Sequence, residues 1–400
     1  MKHVRSGVVG VLICVVSALL GASPSAHAAS LWTIEPTATI ADSSQPSLSS
    51  VSCVAASDCT AAGSYLNATS NEVTLVEHWD GTAWSIEPTP TPGEGGTLSA
   101  VSCTSASDCT AVGSYTTTTG EQLTLAEHWD GTAWSVQATP TVPGASGSAL
   151  AGVSCVPSGM CLATGDYTDG SGVRYPLAER WNGPAWRLLD ATLPPGPGEL
   201  VHVSCSTGAA CTALGLARGS GRTLIYRWNG ATWSTEHLVR PTKANGAWLY
   251  GISCTGAESC VGAGHWSYYA CTGPKQPCNC FEWSQDHCTW NAGSLVEAWD
   301  GTRWRVRSTL GPPGAPGHIV EGDTLEDVAC SPAACTAVGY DGENGTTLAE
   351  YWGGTRWSIQ ATPSPGVGSA LTAVSCTPTG ACMALGSGML AEYRDGAPPA

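Results

Sequence analysis

Residues 98–140 read LSAVSCTSASDCTAVGSYTTTTGEQLTLAEHWDGTAWSVQATP, and residues 48–90 repeat them as LSSVSCVAASDCTAAGSYLNATSNEVTLVEHWDGTAWSIEPTP. The second copy holds four strand-like runs, at 98–103, 109–115, 123–129 and 134–138. Each is rich in β-branched or aromatic residues and bounded by turn residues. In the third run Leu123, Leu125, Glu127 and Trp129 alternate with Thr124, Ala126 and His128, the period of a strand. Asp130-Gly131 then joins runs three and four. That dipeptide marks a hairpin, because Gly tolerates the positive φ such turns need. The hairpin puts Trp129 and Trp134 on one face, where they can pack together. Four antiparallel strands in about 50 residues make a propeller blade.

Further copies begin near Leu150, Leu200, Leu249, Leu325 and Leu371. The last stops at Gly396, after its third strand, while 31–37 (LWTIEPT) matches a fourth strand with none before it. Pairing the two closes a ring and removes its open edges. The chain is therefore expected to be all-β, a seven-bladed propeller of four-stranded antiparallel blades over 29–400. Its seventh blade combines 371–396 with 31–37.

Residues 1–28 precede the fold. Lys2 and Arg5 form a basic start, 7–20 is apolar, and Ala26-His27-Ala28 is a small-residue cleavage pattern, the marks of a secretory signal peptide. The apolar run is short for a membrane span. Without this segment 14 Lys and Arg stand against 32 Asp and Glu, a net charge of −18. Such acidity argues against nucleic acid or an anionic membrane as partner. A secreted, soluble monomer is expected.

Eighteen cysteines remain, an even number suited to an oxidising compartment. Fourteen bracket the turn between strands one and two, once per blade: Cys53/Cys59, Cys103/Cys109, Cys155/Cys161, Cys205/Cys211, Cys254/Cys260, Cys330/Cys335 and Cys376/Cys382. Antiparallel pairing brings such Cβ atoms together, so each pair reads as a disulfide. Glu77, Glu127, Glu179, Glu297, Glu350 and Glu392 all stand two residues before the end of strand three. A catalytic acid would be singular, so these read as structural. Thirteen of the 17 Trp also fall at the two repeat positions and read as blade core. His78 and His128 recur in two blades only and carry no metal signal.

The glycine closing strand two and the Trp opening strand four resemble kelch-type propeller repeats. The kelch double glycine is reduced here to one Gly. The Val-Ser-Cys and Trp-Asp-Gly-Thr-Xaa-Trp-Ser phrases also resemble secreted repeat proteins of high-GC Gram-positive bacteria. This resemblance implies the fold over the whole mature chain and names no activity.

The repeat is broken once. Blade five carries an insert at 265–293, HWSYYACTGPKQPCNCFEWSQDHCTWNAG. Cys271, Cys278, Cys280 and Cys288 lie in it, read as two disulfides of open connectivity, with zinc as the alternative. Trp266, Tyr268, Tyr269, Phe281, Trp283 and Trp290 gather there, and Trp248 enters the same blade beside Tyr250. In a propeller the loop between strands two and three shares a face with the connection into strand one. These seven aromatics, from Trp248 to Trp290, are therefore the candidate binding surface, on one rim.

No GxSxG, HExxH, Walker A or GxGxxG context is present. No catalytic residue, metal ligand or cofactor is assigned. Glu321, Asp323, Glu326 and Asp327 form an acidic cluster, read as a solvated loop with a cation site as the alternative. Three functions remain open. One is a non-catalytic binding scaffold for a glycan, cell-wall polymer or protein. The second is a polysaccharide hydrolase or lyase using acids such as Glu282, Asp286, Asp323 or Asp327. The third is a purely structural envelope protein.

Overall fold

Each Asp-Gly-Thr phrase builds the turn between strands three and four. Asp130 Oδ1 accepts from the amides of Thr132 and Ala133 at 2.8 and 3.0 Å, and Gly131 takes φ +91°. The turn sets Trp129 opposite Trp134, with ring centroids 5.9 Å apart. Equivalent Trp pairs close five further blades at 5.4–6.0 Å.

The computed structural model describes residues 31–396 apart from 42, 190–192, 194–195, 220, 242–243, 272–287 and 308–321. It shows seven four-stranded antiparallel sheets and no helix among these residues. Six blades run in chain order, at 44–87, 95–137, 145–188, 198–236, 246–307 and 324–360. The seventh takes three strands from 371–394, and its outer strand is Trp32–Ile34. Trp32 pairs with Arg394, Thr33 with Tyr393 and Ile34 with Glu392. The ring therefore closes as the orphan strand predicts. The signal peptide reading falls on 1–28, outside the described residues.

All seven bracketing cysteine pairs are disulfides, with Cα atoms 3.9–4.1 Å apart. They fit an oxidising, extracellular environment. The second cysteine of each pair stands at the start of strand two and turns into a seam between blades. Cys59, Cys109, Cys161, Cys211, Cys260, Cys335 and Cys382 are therefore buried, only 1–7% exposed. Thr110 Oγ1 of blade two meets Cys161 Sγ of blade three at 3.6 Å, and Thr212 meets Cys260 likewise at 3.5 Å. These sulfurs are core atoms, so the disulfides staple the blades from within the seams. Their first cysteines, such as Cys155, Cys205, Cys254 and Cys330, are half-buried. Cys271 lies opposite Cys288 in the strand register, while Cys278 and Cys280 fall outside the described residues.

The core is a ring of seams. Seven hydrophobic clusters each join one blade to the next, as Ala62 and Val76 of blade one meet Leu98 and Val101 of blade two. The glycine closing strand two follows from strand one, which bulges after each opening Leu, as between Leu98 and Ala100. A Cβ on Gly113 would overlap the Thr97 carbonyl oxygen. The same overlap recurs at the six equivalent glycines.

The Val-Ser-Cys phrase is explained by the seams as well. Ser102 Oγ accepts from the amide of Cys155 in the next blade at 3.0 Å. Five other seams repeat this bond at 2.9–3.0 Å, from Ser52, Ser154, Ser204, Ser253 and Ser375. Ser102→Ala should therefore cost about 1 kcal/mol, the worth of one such bond. Urea unfolding would show it as a lowered midpoint with an unchanged slope. An unchanged midpoint would mean that the serine ring contributes nothing.

Candidate functional site

Strand one of each blade lines the central channel. Just after the bulge stand Ser50, Ala100, Gly152, His202, Gly251, Asp327 and Ala373. Five are small. The two large ones meet, although a whole blade separates them in the ring: His202 Nε2 of blade four lies 3.5 Å from Asp327 Oδ1 of blade six. Gly251 of blade five makes this crossing possible, because a Cβ there would lie 2.6 Å from that oxygen. His202 Nδ1 is buried with no partner among the described residues.

Beside this pair lie Glu326 and Tyr250. Burial raises the Glu326 carboxyl, and Asp327 adds to the effect. Burial also raises the Tyr250 phenol, helped by the charge of Glu326. Tyr250 leans on His265 at 5.6 Å between centroids, and Trp248 stacks on the same imidazole at 4.7 Å. The Trp248 indole donates to the Gly221 carbonyl of blade four at 2.7 Å. A strip of aromatic and ionisable groups thus runs from the rim of blade five, at Trp248, into the channel at His202.

Two acids of the cluster before blade six are not in a solvated loop. Asp323 immediately precedes the strand that lines the channel and Asp327 stands within it, so both are buried, only 4% and 9% exposed. Burial pushes the Asp323 carboxyl up to about 6, and it accepts from the Gly342 amide. Burial raises Asp327 too, against the opposing pull of His202 and two amides. Asp327 Oδ1 accepts from Val328 and Oδ2 from Val374 of blade seven, at 2.8 and 2.9 Å. Glu321, Glu282 and Asp286 lie outside the described residues. Among those described, no cluster of three or more His, Cys, Asp or Glu could hold a metal ion.

The insert begins as a continued hairpin. Strands two and three of blade five are lengthened to Ser259–Cys271 and Cys288–Trp299. Trp248 pairs with His265 and Ala247 with Trp266, so successive register partners put Trp248 and Trp266 on opposite faces of the sheet. Trp266 packs beside Val201 and Leu238 against the seam of blades four and five. Tyr268 and Tyr269 stand in the extended strand, opposite Asn291 and Trp290. Phe281 and Trp283 are outside the described residues. Repeat reasoning missed His202. The signal for His202 was present, as one bulky residue in a column otherwise small apart from Asp327.

No family model matches the chain, and no curated protein matches its sequence. Solved structures do. YCF48 bound to D1 peptide aligns with TM-score 0.52 at 13% identity, over 91% of this chain and 96% of that one. The WD40 β-propeller domain of Doa1 gives 0.54 at 12%, over 90% and 96%. The GH74 xyloglucanase of Xanthomonas campestris gives 0.54 at 12%, over 91% of this chain and 54% of that one. At such identities the likeness shows the fold, a β-propeller. Neither the kelch resemblance nor the bacterial one is carried by a sequence match.

Proposed function

We propose that the protein is a secreted, non-catalytic binding propeller. Its ligand, a glycan, cell-wall polymer or protein segment, would sit on the rim of blade five and reach toward the channel. The observation that carries this reading over hydrolysis is the state of the two described candidate acids. Asp327 spends both oxygens on backbone amides, and Asp323 accepts from another. A carboxyl held that way ties a seam and is poorly placed to shuttle protons to a substrate. Beside them, flat rings and polar groups suit sugar faces and protein anchors, and such rings lose little side-chain entropy on binding. Fold neighbours carry both kinds of function, a peptide complex and a xyloglucanase.

Replacing 267–292 by a short Gly-Ser loop should leave a folded propeller that no longer retains its ligand in cell-wall pull-downs or glycan arrays. Trp248→Ala should weaken retention about tenfold or more, the range of an interface hot spot. Undiminished capture by both variants would place the site elsewhere. Release of reducing sugar from cell-wall polysaccharide by the purified protein would favour the hydrolase.

A further inference from the structure

The seam between blades six and seven departs from the other six at two points. Ala329 stands where each of the others has the serine, so Cys376 lacks the hydroxyl acceptor that serves the equivalent cysteine amides elsewhere. Arg394 stands where strand three of the other blades ends in Trp, opposite Cys382 as Trp79 stands opposite Cys59. Both residues line one cavity of about 30 Å³, with Thr336, Tyr351, Cys376 and Thr377.

Arg394 is 2% exposed. Its Nη2 donates to the Gly380 carbonyl at 2.9 Å and to Thr336 Oγ1 at 3.2 Å, and also meets Cys382 Sγ at 2.9 Å. Nη1 reaches Gln360 Oε1 only at 3.4 Å, and the buried Nε has no partner among the described residues. The rings of Tyr351 and Trp32 lie 5.1 and 5.6 Å from the guanidinium carbon. Among the described residues no carboxylate lies within ion-pair distance of it. A buried cation is costly without a counter-charge. The other blades avoid the cost with an indole.

We infer that the cavity between blades six and seven is a binding site for one small monovalent anion, a halide or a single carboxylate group, held by Arg394. The missing serine provides the space, and the lone guanidinium provides the charge. A volume of 30 Å³ admits about two water-sized atoms, too little for a hydrated sulfate or phosphate. An anion bound only in the folded state stabilises it in proportion to the logarithm of its concentration above Kd.

The test is thermal unfolding at constant ionic strength, with sodium methanesulfonate, neither a halide nor a carboxylate, replaced stepwise by chloride, acetate or sulfate. The wild-type midpoint should rise with chloride or acetate beyond any rise shared by the variants. Ala329→Ser restores the serine and fills the cavity, and Arg394→Trp restores the indole; both should lose that extra rise. A response to chloride alone assigns a halide, and a response to acetate assigns a carboxylate. Equal curves for wild type and variants would overturn the inference, as would a response confined to sulfate. Should either variant fail to fold, wild-type crystals grown in sodium bromide decide. An anomalous peak beside Arg394 supports the site, and ordered water alone there, both in these crystals and in crystals grown in sodium acetate, refutes it.

Discussion

Removal of residues 31–37 is expected to open the ring and lower the melting temperature by roughly 5–10 °C or more. Trp32 is 1% exposed and sits in the cluster joining blades six and seven, beside Val338, Leu371 and Val374. Its indole donates to Gln360 Oε1 at 3.0 Å. Losing a buried Trp alone costs about 3–5 kcal/mol. The deletion also strips the outer strand from blade seven and leaves Leu390–Arg394 as an unpaired edge, open to association. Attaching the same seven residues through a short linker after Gly396 should restore most of the loss, because the strand then returns to the same neighbour. Calorimetry and light scattering on the three proteins read both effects. A deletion variant that melts with the wild type would show that the ring does not depend on this closure.

The protein should also be more stable at pH 5 than at pH 8.5. The repeated glutamates are fully buried in the seams. Glu77 accepts from the Ala38 amide at 3.0 Å, Glu297 from Val239 at 3.2 Å and Glu350 from the Ser294 hydroxyl at 2.9 Å. Burial pushes Glu127, Glu179 and Glu297 up to about 8, and Glu77 and Glu392 up to about 7, from an ordinary 4.5. Between pH 4.5 and 8 the folded protein therefore holds protons that the unfolded chain has released. Their contribution is complete below about pH 4.5 and is lost as pH rises through 7 to 8.

Even if each of the five keeps only about 1 kcal/mol of its shift, the sum is about 5 kcal/mol, or roughly 5–10 °C in melting temperature. The turn aspartates act oppositely. The Thr132 hydroxyl and two amides hold Asp130 down at about 2, and Asp80, Asp169 and Asp300 are lowered by similar bonds. Their support fades only below about pH 4, which puts the optimum near pH 5. Replacing Glu127, Glu179 and Glu297 together by Gln should flatten the alkaline side of the profile. Equal melting temperatures at pH 5 and 8.5 in the wild type would show these carboxyls to be ionised or hydrated in place.

Four strands per blade, seven blades, seven disulfides and the ring closure could all be read from the chain itself. The physical reason is that each rests on local signals repeated at fixed intervals. Alternation sets strands, Asp130-Gly131 sets a turn, and Cys103 and Cys109 bracket another. Repetition also revealed that Glu127 and Ser102 matter without revealing what they touch. Their surroundings lie in neighbouring blades, and only the tertiary structure shows the glutamates sealed in seams and the serines capping the next blade's amides. The depth of the disulfides was hidden for the same reason, since Cys161 and Cys260 are covered by threonines of the preceding blade. The same limit hid the channel strip. His202 and Asp327 are 125 positions apart, and Gly251 lets them meet only because three blades curve around one axis. Arg394 likewise reads in sequence as a worn Trp. Burial against Gln360, Thr336 and the Ala329 cavity makes it a cation in need of an anion, because the cost of a charge is decided by what surrounds it.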